Sequence, residues 1–171
     1  MNEPQRQIAA PCGLVVGAVF GIAGTFASSA PLRGLLWGID GVALVVAGAL
    51  LTIYHLGRGN NLVAAGFLVF VAGETLILAT AAVPLDSSGP VFGAGVSLWA
   101  ASLVLVSAPG TMPIWIRAVA IVAAVPFTIV GVQLFLGQLL DALSRPLPFF
   151  AYPLLVATMI GWAWAHYRAA A

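Results

Sequence analysis

Two acids lie inside otherwise apolar stretches of this chain, Asp40 in "LLWGIDGVALVV" and Glu74 in "VAGETLIL". A charged group at the centre of a helix in hydrocarbon costs roughly 2.5–3.5 kcal/mol on insertion scales, so each acid needs a reason to be there. A carboxyl group in such a place can exchange a proton, hold a cation or an amine, or hydrogen-bond a neighbouring helix. Two of them side by side cannot both stay anionic cheaply. A shared proton, a bound cation or a substrate amine would settle such a pair. The plainer reading is polar glue, with one acid neutral and bonded to another helix, or paired with Arg33.

The spacing favours a meeting. Asp40 and Glu74 flank the turn "GRGN", each about 17 residues from it, or roughly 25 Å along a helix. Equal distance from one hairpin turn means equal depth. Rotation about each helix axis is not fixed by this count. Arg33 lies about two turns from Asp40 on the same face, placed to act as its counter-ion or to snorkel outward. Gln133 is the one well-buried amide, at a similar depth in a later segment. Asp40, Glu74, Gln133 and Arg33 together form the candidate polar site. Thr25, Ser28, Thr75, Thr80, Ser97 and Tyr152 fall in the same half of the membrane. His55 and His166 end segments on the opposite side. They read as interface histidines, or as a pair of ligands for a metal or haem.

The elements that must position these groups follow from composition. Of 171 residues, 62% are hydrophobic and 6% charged, and the mean hydropathy is +1.11. A soluble domain carries about 25% charged residues, and eleven charges among 171 residues cannot cover a soluble surface. The class is all-α: a polytopic integral membrane helical bundle. Turn residues cut the chain into about six transmembrane segments, at 12–30, 33–55, 61–84, 91–108, 113–139 and 148–168, each near the length that crosses hydrocarbon. The domain division is a short N-terminus over 1–11, a single six-helix domain over 12–168 and a short tail over 169–171. The longest loop is expected to be about nine residues, which leaves no lid.

Segment 1 carries Gly13, Gly17, Gly21, Gly24 and Ser28 at helical spacing, a face on which two backbones approach closely. Its start resembles a signal peptide in outline, but a packing face and Pro31 after "SSA" argue for a retained helix. Gly93 in segment 4 and Gly161 in segment 6 belong to similar stripes. These faces serve either the bundle itself or a homodimer. Pro126 interrupts the hydrogen bonding of segment 5.

Arg6, Arg58, Arg117 and Arg168 fall on one side of the membrane, and Arg33 and Arg145 on the other. That bias puts both termini in the cytoplasm. The Ala- and Gly-rich, lysine-free composition points to a GC-rich bacterial genome and its cytoplasmic membrane. A net charge of +1 with no basic run offers no nucleic-acid surface. The partners are the lipid bilayer and, through the small-residue faces, a second copy or a larger membrane partner. No catalytic residue, metal-ligand cluster or cofactor motif is present: H-E-x-x-H, G-x-S-x-G and the phosphate-binding Gly-rich loop are all missing. The functional expectation is a transporter or a membrane protein that binds a small ligand or protons in a polar site in the outer half of the bundle. The alternative is an accessory or scaffold subunit packed against a larger partner through its Gly/Ala faces.

Overall fold

The computed structural model describes the backbone of residues 3–80 and 85–170, and the side chains of 8–80 and 88–169. The side chain of Arg6 and the extreme termini fall outside these ranges. Among the described residues there are six helices: α1 (Glu3–Thr25), α2 (Ala30–Leu56), α3 (Asn61–Thr80), α4 (Leu85–Ser107), α5 (Ile114–Phe135) and α6 (Tyr152–Ala170). Five are long and apolar enough to cross a membrane. The sixth, α6, carries two tryptophans, two tyrosines, a histidine and an arginine among its apolar residues and is less hydrophobic.

Local chemistry explains the boundaries. The Ser29 side chain accepts from Leu32 N–H, and Pro31 occupies the first turn of α2, where its missing N–H costs nothing. The α2–α3 turn closes on Gly59 at φ 73°, a conformation glycine reaches without penalty. Helix α5 runs unbroken through Pro126. Several boundaries differ from the sequence expectation; α1 ends at Thr25 rather than 30, and α4 starts at Leu85 rather than 91. Helix α1 starts at Glu3 rather than near 12, since Pro11 sits within it without ending it. Helix α5 stops at Phe135, so the α5–α6 connection runs from Leu136 to Ala151 and is longer than the nine residues expected. Gly137 at φ 84° turns the chain out of α5, and the apolar run beyond it is loop in spite of its hydropathy.

The helices form a closed ring. Each packs on its neighbours in chain order, and α6 closes back onto α1 and α5. Neighbours are antiparallel: Gly13 of α1 faces Ala47 of α2 and Gly24 faces Trp37, and Gly41 and Gly48 of α2 face Leu78 and Val71 of α3. Close backbone approach is real at several crossings. A Cβ on Gly73 would lie 2.9 Å from the Gly95 carbonyl of α4. Gly93 packs on Leu134 of α5, and Gly161 packs on Ile116 of α5. Gly34, Gly38 and Gly89 face open space instead. Large apolar side chains such as Leu35, Ile53 and Val122 point out of the ring. That surface suits hydrocarbon rather than water.

Inside the ring the two halves differ. Towards the end where α1 begins and α6 stops, Phe67, Phe70 and Trp162 fill the axis. The Trp162 ring meets Phe67 at 5.0 Å and Phe70 at 5.8 Å, both edge to face. Towards the end that carries the α5–α6 connection, the axis opens into a cavity.

Candidate functional site

The cavity has a volume of about 290 Å³. Asp40 of α2 and Glu74 of α3 both line it, as do Thr25, Thr80, Ser88 and Tyr152. The structure therefore brings the two intramembrane acids into one space, at the depth that equal distance from the hairpin turn implies. Their rotation, which the count could not supply, is set by glycines. The Asp40 carboxyl lies against the α1 stripe, where a Cβ on Gly17 would be 3.1 Å from Oδ1 and one on Gly21 would be 2.7 Å from Oδ2. The Glu74 carboxyl crosses to α2, and a Cβ on Gly41 would stand 3.2 Å from its Oε1. Each acid thus occupies room that a missing side chain on the facing helix leaves.

Both carboxyl groups are deeply buried: Asp40 is 7% exposed and Glu74 is 3% exposed. Tyr152 Oη–H donates to Asp40 Oδ2 at 3.1 Å, joining α6 to α2 across the ring. Asp40 Oδ1 and Glu74 Oε2 have no hydrogen-bond partner. The Trp99 indole stands beside Glu74, but its N–H makes no hydrogen bond of acceptable geometry and is itself unpartnered. Buried polar atoms are nearly always bonded, so orphaned oxygens on two adjoining acids stand out.

Aromatic rings make up much of the remaining wall: Trp37, Phe92, Trp99, Phe127 and Tyr152. Trp99 meets Phe127 edge to face at 5.4 Å and lies 6.5 Å from the Tyr152 ring. Trp37 is fixed by donating its N–H to the Gly21 carbonyl at 3.3 Å. At the mouth the α5–α6 connection contributes Asp141, Ala142 and Pro148. Asp141 is exposed and is held by its own turn, accepting from Leu143 N–H and the Ser144 hydroxyl at 2.9 Å each.

Two members of the expected polar group lie elsewhere. Arg33 is not the counter-ion of Asp40. It donates to the Ala27 carbonyl at 3.2 Å and lies over the Trp37 ring at 5.9 Å, because the uncapped end of α1 is closer than the acid. Gln133 is half-buried on α5 and does not line the cavity. Several hydroxyl groups that a depth count assigns to one polar half satisfy themselves instead. Thr75 and Ser97 each donate to the carbonyl one turn back on their own helix. The other described arginines also serve helix ends and rings. Arg117 donates to the Ser107 and Ala108 carbonyls that end α4, and Arg58, Arg145 and Arg168 lie over Tyr54, Phe149 and Trp164. Among the described residues, no arginine or histidine side chain lines the cavity.

A second polar cluster lies beyond the aromatic plug. His55 Nε2 and His166 Nε2 are 2.9 Å apart, His166 Nδ1 is 2.7 Å from the Trp162 carbonyl, and Asn60 Nδ2 is 3.4 Å from His55 Nδ1. The carbonyl can only accept, so His166 carries its proton on Nδ1 and accepts at Nε2. His55 then donates from Nε2 and accepts from Asn60. With both rings neutral this chain leaves no nitrogen unbonded, and Phe67 stacks on His55 at 5.6 Å. The two histidines form a closed structural contact. No group of three or more His, Cys, Asp or Glu suited to a metal occurs among the described residues.

The aromatic wall and Tyr152 are the parts that sequence reasoning did not assign to the site. Tyr152 shares the depth of the acids, and that was their only available signal. Aromatic residues in an apolar span read equally well as core.

The fold and these buried groups define a polytopic helical membrane protein. No protein-family model, curated protein or solved structure matches the chain significantly.

Proposed function

We propose that this protein binds a small ligand within the membrane, in the manner of a transporter or ligand-binding subunit, and that its site is the cavity between Asp40 and Glu74. The observation that carries the reading is a pair of buried acids, each with one unpartnered oxygen, lining a cavity of about 290 Å³. That volume is near the lower end of the range for small-molecule pockets, roughly 300–1,000 Å³. Structural glue would leave these oxygens bonded to a neighbouring helix. On the orientation given by the arginines, the cavity opens to the outside of a bacterial cytoplasmic membrane. The scaffold alternative draws on the glycine faces, and Gly13, Gly17, Gly21, Gly93 and Gly161 all face other residues of this same chain.

The test is a ligand-observed NMR screen of small anionic, neutral and cationic fragments against the protein in lipid nanodiscs. It is run in parallel on Val96→Phe, which adds a ring at Val96 of α4, a residue of the cavity wall. Binders that lose affinity in Val96→Phe, with unfolding temperature kept, support the reading. A screen with no binder, or with binders indifferent to Val96→Phe, rejects it and favours the scaffold class.

A further inference from the structure

We infer that the ligand of this cavity is an organic monocation with an apolar body, its charged head between Asp40 and Glu74 and its body against the aromatic wall. The inference rests on the reading of the cavity as a ligand site and names the ligand's chemistry.

Three lines of observation converge on it. The first is the distribution of charge. The chain has five acids and six arginines. Asp40, Glu74 and Asp141 line this one cavity, and none of the described arginines does. Every described arginine is already engaged with a helix-end carbonyl or an aromatic ring. Among the described residues the site therefore holds carboxyl groups and no cationic side chain, so an anion would find no counter-ion there.

The second is the state of the acids. Asp40 Oδ1 and Glu74 Oε2 are both unpartnered, and both carboxyl groups are more than nine-tenths buried. Tyr152 supplies one donor to Asp40, on the oxygen other than the orphaned one. Each unpartnered oxygen is itself closed off, so it is answered by a proton, by a small turn of a neighbouring donor such as the Trp99 N–H, or by a ligand towards which the carboxyl group turns. An ammonium head offers several N–H donors and a charge at once.

The third is the wall. Trp37, Phe92, Trp99 and Phe127 line the same cavity as the acids. The faces of aromatic rings attract cations, and such cages recognise ammonium groups. A hard metal ion fits poorly, since Ca²⁺ or Mg²⁺ requires about six oxygen ligands and these rings supply none. A proton alone would satisfy the carboxyl oxygens and give the aromatic surface and the volume no role. Asp141 at the mouth adds a carboxylate on the way in, where it would draw cations towards the opening.

The test uses three molecules of one shape and different charge: 2-phenylethylammonium, 2-phenylethanol and phenylacetate. Affinities are measured by isothermal titration calorimetry on the full chain in nanodiscs. The cation is expected to bind at least tenfold more tightly than the alcohol, with no detectable binding of the acid anion. Asp40→Asn and Glu74→Gln should each weaken the cation at least tenfold and leave the alcohol within about twofold. If either variant does not fold, the ranking of the three probes on the unaltered protein still decides. An alcohol that binds as tightly as the cation overturns the inference and leaves the cavity a ligand site. The same holds if all three fail while other fragments bind in a Val96-dependent way. Failure of every fragment class overturns the parent reading with it.

Discussion

At the scale of single residues, the two buried polar clusters differ in how completely they are satisfied. Around His55 and His166, every ring nitrogen has a partner and the tautomers follow from one carbonyl. Around Asp40 and Glu74, two oxygens have none. Removing a member should therefore have different consequences in each. His55→Ala strands His166 Nε2 and leaves a gap beside Phe67. It is expected to destabilise the fold by about 1–3 kcal/mol, read as a lower midpoint in detergent unfolding. A midpoint unchanged from that of the unaltered protein would mean that the pair is not a structural contact. Tyr152→Phe deletes the single donor to Asp40, with an expected cost of about 1 kcal/mol. A fully stable Tyr152→Phe would show that Asp40 does not depend on α6.

At the scale of the elements, the glycines of α1 have a second role. Read as sequence, Gly13 to Gly24 are a face for close helix packing. In the structure Gly17 and Gly21 also leave the space that the Asp40 carboxyl and the Tyr152 hydroxyl fill. A Cβ on Gly21 would overlap the Tyr152 hydroxyl, and the neighbouring carboxylate leaves it little room to move. Gly21→Ala should thus displace Tyr152 and destabilise the bundle by about 1–3 kcal/mol, as overpacking commonly does. Gly34, on α2, meets nothing within 4 Å. Gly34→Ala should be neutral or stabilising by about 0.5–1 kcal/mol, since alanine holds a helix better than glycine. Equal effects of the two variants, read from thermal unfolding side by side, would contradict this assignment of the α1 face. The same comparison marks what was legible in the sequence. The helices and their order followed from hydropathy and turn residues, and the matching depth of Asp40 and Glu74 followed from counting along one hairpin. Rotation did not, because α3 and α5 are apolar on all sides and no stripe says which face turns inward. Arg33 was misplaced for a different reason. Its competing partner, the Ala27 carbonyl, exists only once α1 has ended at Thr25 and the chain has turned.

At the scale of the whole molecule, the ring is filled in one half and open in the other. Phe67, Phe70 and Trp162 close the axis beneath the acids, and the α5–α6 connection borders the opening above them. This asymmetry predicts one-sided access. In a Cys12→Ser background, Thr80→Cys and Ala142→Cys should react with a membrane-impermeant maleimide from one face of the membrane only. Ala120→Cys, in the fully buried part of the ring, should not react at all. Labelling of position 80 from both faces would mean that the plug does not seal the axis. The most direct measurement of the central claim is the affinity of the unaltered protein and of Val96→Phe for 2-phenylethylammonium, by calorimetry in nanodiscs. The predicted result is saturable binding to the unaltered protein that Val96→Phe weakens at least tenfold while remaining folded. Equal affinity in the two proteins would place any cation site outside the cavity and contradict the account.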